Sequence, residues 1–254
     1  LDPYVQAMIV GHDEYWTNEM DTELRRFLDA GGNLSVFGGN TMWWRSEMHA
    51  DGRGRANGWM YMSRLPGSST DNWYAYRPEA SVIGVSYTKG GFMAQSRTPT
   101  LSDIGYKVHR AEHWVFAGTG LKDNDEFGRK VRILTYEVDG LYATTGPDGK
   151  PVPTFADGAP KSTIILASSP IVGWDVPKAP GLATMTIHQR ALGNTVFNAA
   201  TIDWARGLAS CDGSATEFPE CKITKTVVTK LAQPVSGATV GRATGGATTP
   251  PLTT

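Results

Sequence analysis

The chain has 254 residues, 40% of them hydrophobic, and a formal net charge of −1. That length and apolar share allow one large domain or two small ones with a true core, and the charge balance gives no reason to expect nucleic acid or an anionic membrane as partner. No apolar run approaches the ~20 residues needed to cross a bilayer.

The opening Leu1-Asp2-Pro3, with neither an initiating Met nor a signal-like start, reads as the edge of a longer protein from which a signal peptide or a whole domain is missing. Residues 4–10 are short, apolar and closed by glycine, which predicts a buried strand. Residues 18–30 carry Met20, Leu24, Phe27 and Leu28 on one helical face, with Thr17 placed as N-cap and Gly31-Gly32 as terminator. Residues 33–37 read as a second strand, closed by Gly38-Gly39-Asn40. Strand, helix and strand joined by short turns predict a parallel βαβ unit.

Between the first strand and the helix stands Val10-Gly11-His12-Asp13-Glu14-Tyr15-Trp16. It gathers an imidazole, two carboxylates, a phenol and an indole at the expected C-terminal end of a strand, which is where ligands bind in an open α/β sheet. The plain alternative is that Asp13 or Thr17 merely caps the helix.

Residues 41–70 lose regular pattern and are rich in Trp, Met, Arg and Gly. Trp43, Trp44 and Arg45 there either line a pocket, where aromatic walls are common, or belong to a lid packed over the sheet. After Arg77-Pro78-Glu79 the texture turns to β. Residues 81–87, 91–95, 112–119, 130–138 and 163–168 are candidate strands, and 183–189 with 194–199 flank Leu192-Gly193 as a closing hairpin. Residues 201–208 start a helix or tight turn, and 222–231 read as a final helix. Residues 233–254 are rich in Gly, Thr, Ala and Pro, a linker composition that leads to another module or lies along a neighbouring surface.

The two cysteines, Cys211 and Cys221, frame a Gly/Pro loop and lack the further ligands of a zinc site. They predict a disulfide, and with it an oxidising compartment and secretion; two separate buried thiols are the alternative. Several chemistries lack support. No Gly-x-Ser-x-Gly elbow occurs, no cysteine lies near a histidine as in a glutamine amidotransferase, and no Walker A or dinucleotide fingerprint follows the first strand. His109, Glu112 and His113 fall in a segment read as extended, where alternate faces would split them.

Gly11-His12-Asp13-Glu14-Tyr15-Trp16, then Gly38-Gly39-Asn40-Thr41-Met42-Trp43-Trp44, resembles the C-terminal domain of the N,N-dimethylformamidase large (β) subunit and its bacterial relatives. The likeness runs on through Asn72-Trp73, Arg77-Pro78-Glu79, His113 to Leu121, Tyr136-Glu137-Val138-Asp139 and Thr201 to Leu208. It implies a class I glutamine amidotransferase-like, flavodoxin-like parallel sheet over residues 1–232, with a β-rich decoration at about 81–200. It also implies a mononuclear iron on two phenolates and a glutamate, which would polarise an amide carbonyl and lower the pKa of a bound water.

Tyr15 occupies the tyrosine of the family's His-x-Glu-Tyr motif, and His12 and Glu14 become the acid/base groups beside it. The second tyrosine of the family would lie before Leu1. Where the family has its glutamate, this chain reads Ser69-Thr70-Asp71-Asn72-Trp73, so Asp71, or else Glu79, would have to replace that ligand. Two expectations follow. One is a metal-dependent hydrolase of an amide or other C–N bond, with Trp43, Trp44 and Arg45 walling the substrate pocket. The other is a catalytically degenerate extracellular module that keeps the aromatic pocket for a small-molecule or surface ligand. Other domains of the same longer chain, or a second copy of this chain, are the expected partners.

Overall fold

A computed structural model describes residues 1–49, 58–61, 72–92, 104–172, 180–214 and 216–241. The N-terminal pattern folds as its periodicity dictates. Strand β1 (Gln6–His12) is followed by the short β2 (Tyr15–Thr17), helix α1 (Asn18–Asp29) and strand β3 (Asn33–Gly39). The Thr17 hydroxyl accepts from the Met20 N–H at 3.3 Å, so Thr17 rather than Asp13 caps α1. Leu24, Phe27 and Leu28 form the buried stripe of that helix, each contributing roughly 1.5–3 kcal/mol of apolar burial. β1 and β3 pair in parallel from Gln6–Asn33 to His12–Gly39, as a βαβ unit requires.

The chain continues through β4 (Trp44–His49), β5 (Trp59–Tyr61), the single turns α2 (Trp73–Tyr76) and α3 (Ala80–Ile83), β6 (Ser86–Phe92), β7 (Tyr106–Val108) and β8 (Glu126–Phe127). Then come β9 (Glu137–Gly140), the β10 (Ala143–Thr145) and β11 (Pro151–Pro153) ribbon, β12 (Ile164–Val172), β13 (Pro180–Gln189), β14 (Thr195–Asn198), a 3-10 segment (Ile202–Ser210) and α4 (Pro219–Leu231). The main sheet runs β1-β3-β14-β13-β12-β7-β8, with β9 bridging β13 and β6.

This architecture corrects the expected flavodoxin-like, glutamine amidotransferase-like parallel sheet. Strands hold 35% of the described residues against 22% in helices, and the mixed sheet curls into a half-barrel. In the main sheet only β1–β3 and β3–β14 pair in parallel; from β14 onward every pairing is antiparallel. The physical reason is connectivity, since each parallel step needs a long crossover, usually helical. Among the described residues only α1 and α4 are α-helices of more than two turns, and hairpin-like returns do the remaining work.

Three local expectations are also corrected. β1 is an edge strand rather than a buried one, with Met8 and Val10 at 55% and 62% exposure. Residues 80–83 turn as α3, which Gly84 ends in the left-handed region at φ 81°, so the strand expected at 81–87 begins only at Ser86. The strand expected at 112–119 is instead turns around a 3-10 segment (Trp114–Phe116) capped by His113, whose Nδ1 accepts from the Val115 N–H at 3.3 Å. Of the strand expected at 91–95, residues 93–95 lie outside the described residues.

β3 is buried along its whole length because both faces are covered. Leu34 and Val36 pack with α1, while Phe37 joins Phe197, Trp204 and the α4 residues Ile223, Val227 and Leu231 on the other side. Residues beyond α4 also dock: Ala238 and Val240 are buried in the α1-side cluster, and the Thr239 N–H donates to the Ala30 carbonyl at 2.8 Å. Cys211 and Cys221 form a disulfide that ties the end of the 3-10 segment to the first turn of α4. Among the described residues no helix is long and apolar enough to cross a membrane.

Two outcomes follow from this framework. Reducing the Cys211–Cys221 bridge, which spans a separation of 10 residues, is expected to lower the unfolding free energy by roughly 2–3 kcal/mol, read as a shift of the urea midpoint. Glu79 is fully buried, accepts from the Ser86 hydroxyl at 2.5 Å, and is pushed up to about 8 by its burial. A carboxyl raised in the folded state favours the neutral form. Its contribution is therefore complete below the unfolded value near 4.5 and is lost as pH climbs towards 8. Glu79→Gln is expected to stabilise the chain by roughly 2–4 kcal/mol at about pH 9 and to change little at about pH 4, measured by denaturation across pH.

Candidate functional site

The C-terminal ends of β1 and β3 meet because two glycines allow it. A Cβ on Gly38 would stand 2.5 Å from the Gly11 carbonyl oxygen, and one on Gly39 would stand 2.5 Å from the Glu137 carbonyl oxygen and 2.7 Å from the Ile202 nitrogen. No side chain fits at either place, so β1, β3, β9 and the exit of β14 converge at backbone distance. The chain then turns sharply through Asn40 (φ 51°) and Met42 (φ 57°), both in the left-handed region that non-glycine residues rarely adopt. Asp139 holds this turn. Its buried carboxylate accepts from the Asn40 N–H at 2.9 Å and the Thr41 N–H at 3.4 Å.

His12 closes β1 and projects into this junction, its Nε2 lying 3.1 Å from Glu137 Oε2 and 3.4 Å from Glu14 Oε2. The imidazole is about 39% exposed while the carboxylates are about 11% and 12% exposed, so one ionisable ring faces solvent with two mostly buried acids behind it. Burial raises Glu137, the nearby Glu14 charge raises it further, and His12 together with the Asn40 side chain opposes both. Burial likewise raises Asp13 and pushes Asp139 up to about 7. Tyr87 is buried beside the same acids, and desolvation followed by the charges of Glu137, Asp139 and Glu14 holds its phenol strongly protonated. The junction thus concentrates acids around a single imidazole.

Tyr15 lies on β2 at 37% exposure, with its ring centroid 6.3 Å from that of His12. Its strand is pinned by register with Trp44 and by the Trp44 N–H donating to the Glu14 carbonyl at 2.8 Å. Trp43 is buried, edge-on to Tyr87 at 5.5 Å and to Trp44 at 5.8 Å, and so serves as the packing support of the Tyr87 phenol. Arg45 stacks its guanidinium 3.7 Å over the Tyr76 ring and 5.9 Å from Trp73. That position ties β4 to α2. Asp71 lies outside the described residues.

The iron implied by the resemblance needs a complete donor set. Among the described residues no group of three His, Cys, Asp or Glu side chains is arranged to hold a metal ion; of the expected ligand set Tyr15 and Glu79 are described and Asp71 is not. The described residues alone therefore do not complete that donor set, and no chemical step is derived through a metal. Glu79, the other possible replacement ligand, is committed to Ser86 in the interior.

Sequence reasoning brings His12, Glu14 and Tyr15 together but overlooks Glu137, Asp139 and Tyr87. A usable signal was present in Tyr136-Glu137-Val138-Asp139: two acids spaced by two in an otherwise apolar strand share one face. His109 pairs with the neighbouring strand β12. Its Nε2 lies 2.7 Å from the Ser168 hydroxyl, and burial pushes its pKa down to about 4.

A mixed α/β domain with an acid-backed imidazole at a strand junction is the class these features define. Residues 1–217 match the family described as N,N-dimethylformamidase beta subunit-like, C-terminal, and the chain belongs to that family. No curated protein matches the chain.

Asp139→Ala is expected to cost about 2–4 kcal/mol near pH 6, since it strands two buried backbone N–H groups at the turn. Chemical denaturation measures the loss, and displaced amide resonances confined to residues 38–42 and their neighbours locate it.

Proposed function

We propose that this domain carries hydrolase-like chemistry on an amide or other C–N bond at the junction of β1, β3 and β9. The observation that supports it most is His12 Nε2 standing 3.1 Å and 3.4 Å from two mostly buried carboxylates while its ring remains open to solvent. In this reading His12 donates a proton to the departing nitrogen, and Glu137, made more basic by burial, takes the proton of the attacking water. Glu14 stabilises the imidazolium in between. Tyr15, beside His12, is the candidate phenolate ligand of an iron that would polarise the carbonyl. Trp44 and the Arg45 region border the substrate. An extracellular setting is supported by the Cys211–Cys221 bridge. The family's description as the C-terminal part of a β subunit-like protein supports further segments of the same chain as partners.

A non-catalytic binding module is the second reading. It is favoured by the lack of a three-donor group among the described residues and by the engagement of Trp43 and Arg45 in packing.

The test is hydrolysis of a panel of small N-alkyl amides by the full-length protein, with metal content measured on the same preparation. His12→Ala is expected to lower kcat about 100-fold or more. Glu137→Gln is expected to remove the acid limb of the pH profile, because the base works only once deprotonated and its pKa is raised. Tyr15→Phe is expected to lose bound metal with the fold intact. Absence of C–N cleavage across the panel in metal-loaded protein defeats the hydrolase reading and leaves the binding module.

A further inference from the structure

At the opposite edge of the sheet from β1, a cleft of ≈ 560 Å³ opens between the β8 segment and the first turn of α4. Its volume is in the range of small-ligand sites. Phe127, Gly128, Arg129 and Lys130 line one side, and Phe218 and Glu220 the other. Nothing in the chemistry proposed above uses it.

Glu220 is the unusual member. It is 1% exposed, and its Oε1 is buried with no hydrogen-bond partner. The cramped space around it explains its position: a Cβ on Gly207 would stand 2.5 Å from the Glu220 Cβ and Cγ, and one on Gly128 would stand 3.3 Å from Oε1. Two glycines are therefore needed to seat this carboxyl against the cleft wall. Burial pushes the Glu220 carboxyl up to about 7, only partly opposed by the backbone N–H at the start of α4, a helix whose N-cap residue, Phe218, gives no side-chain bond. Proximity to the positive end of the helix favours the ionised form. Even so, a buried carboxylate oxygen with no donor carries an uncompensated desolvation cost.

The surroundings select what could satisfy it. Arg129 is held by Glu126, with its Nε and Nη2 at 2.5 Å and 3.0 Å from the two carboxylate oxygens. Lys130 is exposed at the rim, and no ion pair between it and Glu220 occurs among the described residues. Phe218, half-buried, presents aromatic surface, which attracts cations over ring faces, whereas Phe127 is buried in the core beneath the cleft. Besides Glu126, Arg129, Lys130 and Glu220, no charged group lines the cleft.

We propose that this cleft is a binding site for a small aromatic or alkyl ammonium compound, whose N–H groups donate to the orphan Glu220 oxygen while its apolar part lies against Phe218 and Val131. The disulfide at Cys221, one residue along, keeps the first turn of α4 in place for this contact.

The experiment titrates benzylammonium, benzyl alcohol and benzoate separately into the full-length protein above neutral pH, following amide resonances and heats of binding. Saturable binding of benzylammonium is expected, with shifts concentrated at residues 127–131 and 218–221 and much weaker binding of the other two. Glu220→Gln keeps the shape, removes a buried charge, and is expected to weaken benzylammonium at least about tenfold. Phe218→Ala, at a half-buried position, is expected to weaken it severalfold, whereas Lys130→Met strengthens it. Equal or tighter binding of benzoate or benzyl alcohol, unchanged affinity in a folded Glu220→Gln protein, or no saturable benzylammonium binding overturns the proposal.

Discussion

The architecture around the candidate site depends on backbones meeting where side chains cannot stand. Gly38 against the Gly11 carbonyl and Gly39 against the Glu137 carbonyl allow β1, β3 and β9 to converge within a few ångströms. That approach brings Glu137 to His12, which a strand order with any ordinary residue at 38 or 39 would hold apart. Asp139 then secures the arrangement by taking two backbone N–H groups from a turn held in a rarely populated conformation. The polar site is a consequence of this tight crossing, and Glu137 and Asp139 are raised because the same crossing removes water.

The balance of charge at the junction has a chemical meaning. Glu14 and Glu137 flank one imidazole, while Asp139, Glu79 and Tyr87 sit in the adjoining interior. Burial raises Glu137, Asp139, Glu79 and Tyr87, so the interior behind His12 tends to hold protons rather than charge. Such an environment suits proton exchange near neutrality better than a fixed electrostatic role.

Local signals were legible wherever a short-range rule governs. The Thr17 cap, the α1 stripe and the parallel pairing of β1 with β3 all follow from spacing within some thirty residues. The 183–189 and 194–199 hairpin was equally readable, as β13 and β14 pair antiparallel from Thr186–Asn198 to Gln189–Thr195. What sequence could not carry was the order of strands beyond β3. The apolar run at 81–85 has the texture of a strand, yet Glu79 and left-handed Gly84 bound a single helical turn. β1 is apolar by composition and exposed by position, because being an edge is a property of its neighbours. Likewise His12, Glu14 and Tyr15 are adjacent in the chain and could be grouped, whereas Glu137 reaches them only through tertiary contact.

β14 lies between the two halves of the sheet, with Val196 beside Leu34 on one flank and Phe197 opposite Ile187 on the other. The early βαβ unit therefore keeps one open side until a segment some 160 residues later has been synthesised and slotted in. Such distant pairing implies slow assembly. During translation the unfilled flank of β3 is a natural point for chaperone capture or for mispairing with another nascent chain.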